Sequence, residues 1–293
     1  MTTTTGSGNI RQRSDEARLS DEAAAAFEQR YGSSGGAEVA VVIPALNEEE
    51  SVATVVRNVP AEMCGLRTET IVVDDGSRDR TAEEASGAGA LVCRVVENIG
   101  QGAAFRLGYR VARNRGARFI GTTDADGQWD PGELPALIEP LLRDEADVVN
   151  ASRRLGRSYT TDSVRSAGVV LFGGLVSVLT GVRITDPANG MRAMRSEVTA
   201  ELPLRQTQYQ TSELLIRAIA HGYRVIEVPN TMYVRSAGES KKGSNLRYGY
   251  RFGRVVVTTW WAERATARRC VSEGSRLWRL AGLAPAREPL AVR

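Results

Sequence analysis

Phe119-Ile120-Gly121-Thr122-Thr123-Asp124-Ala125-Asp126-Gly127-Gln128 is the stretch on which the reading of the chain turns. Its first five residues form an apolar run of the length expected for a buried strand. Trp129-Asp130-Pro131-Gly132-Glu133 follows and reads as a helix start, with proline suited to a first helical position. Asp124, Asp126 and Gln128 therefore fall on a loop at a strand's carboxyl end, where open α/β sheets bind their ligands. Hard oxygen ligands on alternate residues suit Mg²⁺ or Mn²⁺, which bridge carboxylates and substrate phosphates. Taken alone, the same residues also fit a solvated Asp-Gly turn.

The pattern repeats upstream. Residues 39–44 read as a buried strand, and Ala45-Leu46-Asn47-Glu48-Glu49 opens a helix running to Arg57. A second strand, 69–73, ends at Asp74-Asp75-Gly76-Ser77, and Asp79 caps the next helix. A third, 90–96, leads through Asn98 to Gly100-Gln101-Gly102 and a helix ending near Asn114. Beyond Gln128 come a helix over 131–143 and a strand over 147–150. Strands alternating with helices predict βαβ units and a mainly parallel sheet. The carboxyl ends of parallel strands share one edge, so Asn47-Glu48, Asp74-Asp75 and Asp124/Asp126/Gln128 converge on one crevice. Carboxylates gathered there repel unless a cation or hydrogen-bond donors sit among them, and a metal–diphosphate complex meets that demand. Asp74 or Asp75 can also accept from a nucleobase N–H or a ribose hydroxyl. Gly100-Gln101-Gly102 lacks the third glycine of a dinucleotide fingerprint, so its glycines are read as permitting close helix–sheet approach.

The second half is less regular. An apolar helix is expected over 167–182, then a turn-rich segment from Asp186 to Arg192 before a short strand. A helix over 210–221 places Leu214, Leu215, Ala218 and Ile219 on one face. Two strands, 223–228 and 230–235, precede a basic loop and a helix over 246–264 carrying Tyr248, Tyr250, Phe252, Trp260 and Trp261. At the other end, a Thr/Gly/Ser tail, a short helix from Ser20 and a Gly/Ser linker fill 1–36, with no chemistry assigned. The expected organisation is a tail at 1–36, a catalytic domain at 37–245 and a basic, Trp-bearing helical extension at 246–293.

Composition narrows the chemistry. The 293 residues are 25% charged and 42% hydrophobic, as in a soluble globular protein, and the net charge of +3 conceals a split. From Lys241 onward there are twelve Lys/Arg and three Asp/Glu, leaving 26 basic against 32 acidic residues before it. The basic end suits an anionic surface or ligand. Cys64, Cys93 and Cys270 lack metal-ligand spacing and read as free thiols in a reducing compartment. A single histidine, His221, would have to be the base of any Ser-His-Asp triad, and it sits where a helix end needs a cap. The N-terminus has no signal-peptide core, and about 16 apolar residues at 167–182 fall short of a membrane span. The expectation is a cytoplasmic protein, with contact at a membrane surface left open.

Val42-Ile43-Pro44-Ala45-Leu46-Asn47-Glu48, Val73-Asp74-Asp75-Gly76-Ser77 and Asp124-Ala125-Asp126-Gly127-Gln128, in this order and spacing, resemble family 2 glycosyltransferases of the GT-A fold. The branch they resemble is that of the dolichyl- or polyprenyl-phosphate mannose synthases. The resemblance covers about 38–250, through Ser152-Arg153, Asp186–Ala193, Glu213–Ala218, Gly222–Val225 and Arg235–Lys241. It implies an α/β GT-A fold, a mainly parallel central sheet flanked by helices, with a C-terminal helical extension. It also implies metal-dependent, inverting transfer of a mannose- or glucose-type sugar from a nucleoside diphosphate sugar to a polyprenyl phosphate. On that likeness Pro44, Leu46, Glu48 and Asp124 line the nucleotide-sugar pocket, and Asp75 meets the base or ribose. Asp124, Asp126 and Gln128 hold Mg²⁺ or Mn²⁺, and Asp126, Glu213 and Arg235 serve catalysis. Arg153, Arg165, Arg235 and Lys241 match positive positions used for donor and acceptor phosphates, where they stabilise the leaving diphosphate. A lipid phosphate is already an anion and needs no base; a hydroxyl acceptor needs one, with Glu213 and Asp186 as candidates. Glu213 also fits a capping partner for Gln210 on its own helix.

Departures from the branch keep a second acceptor class in view. Gly168-Val169-Val170 follows Arg165 where a serine and an asparagine are usual, and Asn189-Gly190 replaces Ser-Gly. A soluble small-molecule hydroxyl acceptor is the alternative. A nucleotidyltransferase would carry a basic glycine-rich loop after the first strand, whereas Ala45-Leu46-Asn47-Glu48-Glu49 is acidic. A non-catalytic nucleotide-sugar-binding protein would not need Asp124, Asp126 and Gln128 intact. Nucleic-acid binding has only the tail's charge behind it and is not expected. The C-terminal helix leaves a homodimer interface or an ordinary core helix as alternatives to a membrane surface.

Overall fold

The computed structural model describes residues 5–159, 163–234 and 245–272. Helix α1 (Thr5–Tyr31) precedes β1 (Val39–Ala45), α2 (Val52–Arg57), the two-residue β2 (Glu62–Met63) and β3 (Leu66–Asp75). Then come α3 (Thr81–Gly87), β4 (Leu91–Val95), α4 (Gln101–Asn114) and β5 (Phe119–Thr122). A 3₁₀ turn at Pro131–Glu133 and α5 (Pro135–Leu142) lead into β6 (Val148–Ser158), α6 (Ser163–Thr180) and β7 (Arg192–Arg195). The remaining elements are α7 (Ser196–Glu201), α8 (Gln210–Ala220), β8 (Val225–Met232) and α9 (Asn245–Ser272).

All seven residues of β1 are buried, because the strand is paired on both sides and covered on both faces. It runs parallel to β3 and to β5, and β3 runs parallel to β4. The sheet order is β4-β3-β1-β5-β7-β6-β8, with β2 paired antiparallel to the start of β3. Besides the short β2, the parallel expectation holds with one exception. β7 is inserted antiparallel between β5 and β6, while β6 and β8 run parallel to each other. β8 is continuous through Pro229, where two strands were expected. As the outermost strand it tolerates a residue without an N–H.

Alternate side chains along the strands feed two cores. Ala40, Val42, Ile71 and Val73 point to the side covered by α1, α4 and α8. Val39, Val41, Ile43 and Val72 point to the side covered by α2, α3 and α5. The N-terminal helix is longer than expected and is part of this packing. Leu19, Ala23 and Phe27 recur at four-residue intervals and are all buried, so one stripe of α1 closes over β4 and α4. Glu16 pairs with Arg106, and Asp21 lies 2.5 Å from Arg110.

Gly108 lets α4 sit on the sheet. A Cβ there would lie 2.3 Å from Val42 Cγ1 and 3.1 Å from Val73 Cγ2. Gly102, expected to serve the same purpose, instead meets the backbone of Gln206 and Thr207, and a Cβ would fall 2.0 Å from Gln206 O. Gly108→Ala should therefore lower stability by about 1–2 kcal/mol, overpacking outweighing the gain in helix propensity. Denaturant midpoints of the two proteins measure this, and an equal or raised midpoint would contradict the packing.

Candidate functional site

Two of the acidic loops are laced together by their own backbones. The loop after β1 turns at Asn47, whose φ of 50° is a left-handed conformation that asparagine tolerates. Asn47 N–H donates to Ser77 Oγ at 2.9 Å, and Arg78 N–H donates back to Asn47 Oδ1 at 2.9 Å. Glu48 N–H reaches Thr81 Oγ1 at 2.8 Å, and Glu49 N–H reaches Asp79 Oδ2 at 3.2 Å. Asp79 also caps α3 through Thr81 N–H, as its position predicted. Pro44 is buried, while Leu46 and Glu48 are half-buried on this double loop.

Asp74 and Asp75 end β3 and are almost wholly buried. Asp74 accepts from Ser77 N–H at 3.0 Å and faces Arg94 at 3.3 Å. Asp75 accepts from Ile99 N–H at 2.7 Å and Gly100 N–H at 3.0 Å. Burial pushes its carboxyl up to about 6; those two amides oppose the rise, and Asp74 and Glu16 add to it. The next residue along, Gln101, extends its amide to Asp124 Oδ1 at 3.4 Å. The β3, β4 and β5 loops thus meet at one edge, as parallel strands require.

Asp124 also accepts from Trp129 Nε1 at 3.2 Å. Asp126 Oδ1 accepts from Gln128 N–H at 3.1 Å, fixing the turn of this loop. Tyr233 N–H donates to Gln128 O at 2.9 Å and ties the loop to the end of β8. Gly190 lies directly behind Asp124, where a Cβ would come within 2.2 Å of Oδ2. Arg192 supplies positive charge beneath. Burial holds its guanidinium below the usual range, opposed by Tyr109, Asp124 and Asp186. Its Nη1 donates to Thr211 O at 3.0 Å and its Nη2 to Asn189 O. Gln101, Trp129, Gly190 and Arg192 carried no assigned role at the sequence level.

Among the described residues no group of three or more His, Cys, Asp or Glu side chains could hold a metal alone. Two carboxylates plus an amide, with Asp124 cradled against glycine, fit an ion that completes its shell with phosphate oxygens and water. That is how Mg²⁺ usually sits in sites that bind phosphate substrates.

Other sequence candidates lie elsewhere. Arg153 forms a fork on Asp186, with Nε–Oδ2 at 2.7 Å and Nη2–Oδ1 at 3.1 Å, and stacks over Trp129. Both partners are buried, so Arg153 serves this pair rather than standing open to a phosphate. Glu213, expected as a base or a cap, is engaged by other partners. Its carboxylate is fully buried and accepts from Arg205 N–H at 2.9 Å and Gln206 N–H at 2.8 Å, with Arg217 Nε at 3.0 Å. It holds the 205–207 backbone that packs on Gly102. Arg217 and His221 both meet Glu263 of α9, and His221 occupies the C-cap of α8 as expected. Arg165 lies in the first turn of α6. Its side chain, and all of Arg235 and Lys241, lie outside the described residues.

A model of the family described as Glycosyl transferase family 2 matches residues 40–202, from β1 through the end of α7. The dolichyl-phosphate hexose transferase of Haloferax volcanii is 35% identical over 205 residues, 70% of this chain and 86% of that protein. The dolichol-phosphate mannosyltransferase of Pyrococcus furiosus is 33% identical over 229 residues, 73% of this chain and 63% of that one. The fold is similar to glucosyl-3-phosphoglycerate synthase of Mycobacterium tuberculosis, solved with Mn²⁺, UDP and glucosyl-3-phosphoglycerate. The TM-score is 0.61 at 22% identity, covering 81% of each chain. With its acidic loops converging at the carboxyl edge of a parallel sheet, the chain belongs to glycosyltransferase family 2, as an enzyme of the hexosyltransferase class.

Proposed function

We propose that the protein transfers a mannose- or glucose-type sugar from a nucleoside diphosphate sugar to a polyprenyl phosphate, with inversion at the anomeric carbon. The state of the two candidate bases carries the acceptor assignment. Glu213 is occupied by two backbone amides and Arg217, and Asp186 by Arg153. A hydroxyl acceptor would need one of them open, whereas a phosphate monoester arrives already ionised. The names of relatives point the same way, among them the undecaprenyl-phosphate mannosyltransferase of Micrococcus luteus, 29% identical over 224 residues.

In this reading the nucleotide lies on the double loop of Pro44, Leu46 and Glu48, with Asp75 accepting from the base or ribose. Asp124, Asp126 and Gln128 would hold Mg²⁺ or Mn²⁺, which when bound supplies positive charge to the diphosphate. The acceptor phosphate oxygen forms the new bond to the anomeric carbon as the bond to the diphosphate oxygen breaks. The electron pair leaves with the nucleoside diphosphate. Arg165, Arg235 and Lys241 are assigned to the acceptor and leaving phosphates, and Arg192 offsets the charge of Asp124 from below. No side chain need take a proton.

Release of nucleoside diphosphate from a panel of sugar nucleotides, with Mn²⁺ or Mg²⁺ and a short polyprenyl phosphate, tests the whole reading. Turnover dependent on the lipid supports it; donor hydrolysis indifferent to the lipid redirects the search to soluble acceptors. Asp126→Ala should abolish metal-dependent turnover while costing about 1 kcal/mol of stability, the worth of one turn hydrogen bond. Unchanged turnover would remove the ligand assignment. Gly190→Ala should displace the Asp124 carboxylate and reduce turnover by roughly 100-fold, since an error near 1 Å is costly in such sites. Wild-type kinetics in that variant would mean that Asp124 is not held by this contact.

Acid should weaken nucleotide binding. Below about 6 Asp75 becomes protonated and loses one acceptor, so affinity is expected to fall by roughly tenfold in all as pH drops through that point. The sign for folding is opposite. A raised carboxyl contributes stability below its unfolded value and loses it as pH rises through about 6. Titrating nucleotide affinity and thermal midpoint on the same samples separates the two, and affinity flat from pH 7.5 to about 5 would contradict the role of Asp75.

A further inference from the structure

Glu16 ties the N-terminal helix to the wall of the crevice. It pairs with Arg106 of α4, and both side chains are half-buried. The same guanidinium continues inward, where Nη1 donates to Gln206 O at 2.8 Å. Gln206 is thereby gripped by both of its backbone groups, since its N–H donates to Glu213 Oε2 at 2.8 Å. The next carbonyl, Thr207 O, accepts from Gly102 N–H at 2.8 Å. A Cβ on Gly100 would lie 3.4 Å from the same oxygen, so the 206–207 backbone is seated on both glycines. Residues 202–209 belong to no helix or strand, and these bonds set where the segment lies.

The run from Ile99 to Gly102 answers to that seat. Its Ile99 and Gly100 amides hold Asp75, and Gln101 reaches Asp124. A shift of the 206–207 backbone would therefore disturb donors on two carboxylates of the crevice at once. Arg106 by itself is a weak anchor, because ordering a long side chain costs entropy that one bond to a neutral carbonyl offsets poorly. A carboxylate on its second branch makes the contact charge-assisted and fixes the rotamer. Glu16 is near enough to Asp75 for its charge to add to the rise of that carboxyl, so the pair borders the nucleotide end of the crevice. α1 precedes residue 40, where the match to the family begins, and Leu19, Ala23 and Phe27 hold it on the domain independently of Glu16.

We propose that Glu16 is a positioning residue for the nucleotide pocket: acting through Arg106, it presses the Gln206–Thr207 backbone onto Gly100–Gly102 and keeps the Ile99 and Gly100 amides aimed at Asp75. The N-terminal helix then contributes affinity for the nucleoside diphosphate without touching it. Asp21 and Glu28, further along α1, bond Arg110 and Asn114 of the same α4. They fasten the two helices as Glu16 does, but Arg110 carries the contact back to Ser20 O of α1 and not on to the 205–207 loop. This difference separates fastening the helix from positioning the pocket. The proposal rests on the nucleotide-sugar reading for what the pocket holds, and on the backbone contacts for how it is held.

Two measurements on the full chain test this: amide hydrogen exchange without ligand, and binding of UDP, GDP, ADP or dTDP with Mn²⁺. Glu16→Ala should speed exchange at Ile99, Gly100 and Gly102 by about tenfold while β1 stays as in the wild type. It should also weaken the nucleotide that the wild type binds by about tenfold. Glu16→Gln keeps an oxygen for Arg106 and should bring both values back to within about threefold of wild type. Asp21→Asn removes a comparable fastening of α1 and should change neither. Wild-type exchange at these amides in Glu16→Ala overturns the proposal, as does an equal change in Asp21→Asn, which would make Glu16 merely structural. Faster exchange with unchanged affinity overturns it too, since the seat would then have no part in binding. Wild type that binds none of the four nucleotides rejects the nucleotide-sugar reading, and with it the pocket that Glu16 is assigned to serve.

Discussion

Negative charge gathered at one edge of a parallel sheet is the constraint around which this molecule is arranged. β1, β3 and β5 end side by side, and the residues at and just beyond their ends include Asp74, Asp75, Asp124 and Asp126. Each needs donors nearby, because a buried carboxylate without them reverts to its neutral form. The donors come from distant parts of the chain: Ser77, Ile99 and Gly100 by their amides, Gln101 and Trp129 by side chains, and Arg94 and Arg192 by charge. Asp75 remains only partly compensated, which is why its carboxyl sits near 6. Such incomplete neutralisation is costly for folding and useful for binding, since a ligand that brings donors or a cation relieves it.

The antiparallel course of β7 follows from the same constraint. β7 pairs with β5 so that Thr122 stands opposite Arg192, and Thr122 Oγ1 donates to Gly190 O at 2.9 Å. This places a glycine behind Asp124 and a buried arginine beneath it. No other chain direction would carry Asn189-Gly190-Met191-Arg192 into β5 from the crevice side. The antiparallel course of β7 is thus what brings positive charge to the Asp124–Gln128 loop.

Local pattern made most of the sheet legible before any coordinates. Apolar runs closed by Asp, Asn or Gly marked β1, β3, β4 and β5, and their shared direction predicted where the acidic residues would meet. What escaped was information stored in long-range pairing. Arg153 and Asp186 look like two site residues in sequence, yet they neutralise each other across 33 positions. Glu213 resembles a base, but its carboxylate is taken up by the backbone amides of Arg205 and Gln206 and by Arg217, partners that no local pattern announces. Glu16 looked inert in a low-complexity tail, although the Leu19–Ala23–Phe27 stripe carries it close enough to raise Asp75.

Glu213 belongs to a chain of charges that explains why α9 sits as it does. The carboxylate of Glu213 binds Arg217, Arg217 binds Glu263, and Glu263 binds His221. The series runs from the 205–207 loop to the C-terminal helix. With Glu263 fixed inward, the rotation of α9 about its axis is fixed too, since a half-turn would bury arginines and strand Arg217 without its second partner. The outward stripe of Tyr250, Arg254, Val257 and Trp261 is therefore a consequence of the inward ion pairs. The loop that covers Gly102 beside the crevice and the face of α9 turned to solvent are positioned by the same four side chains.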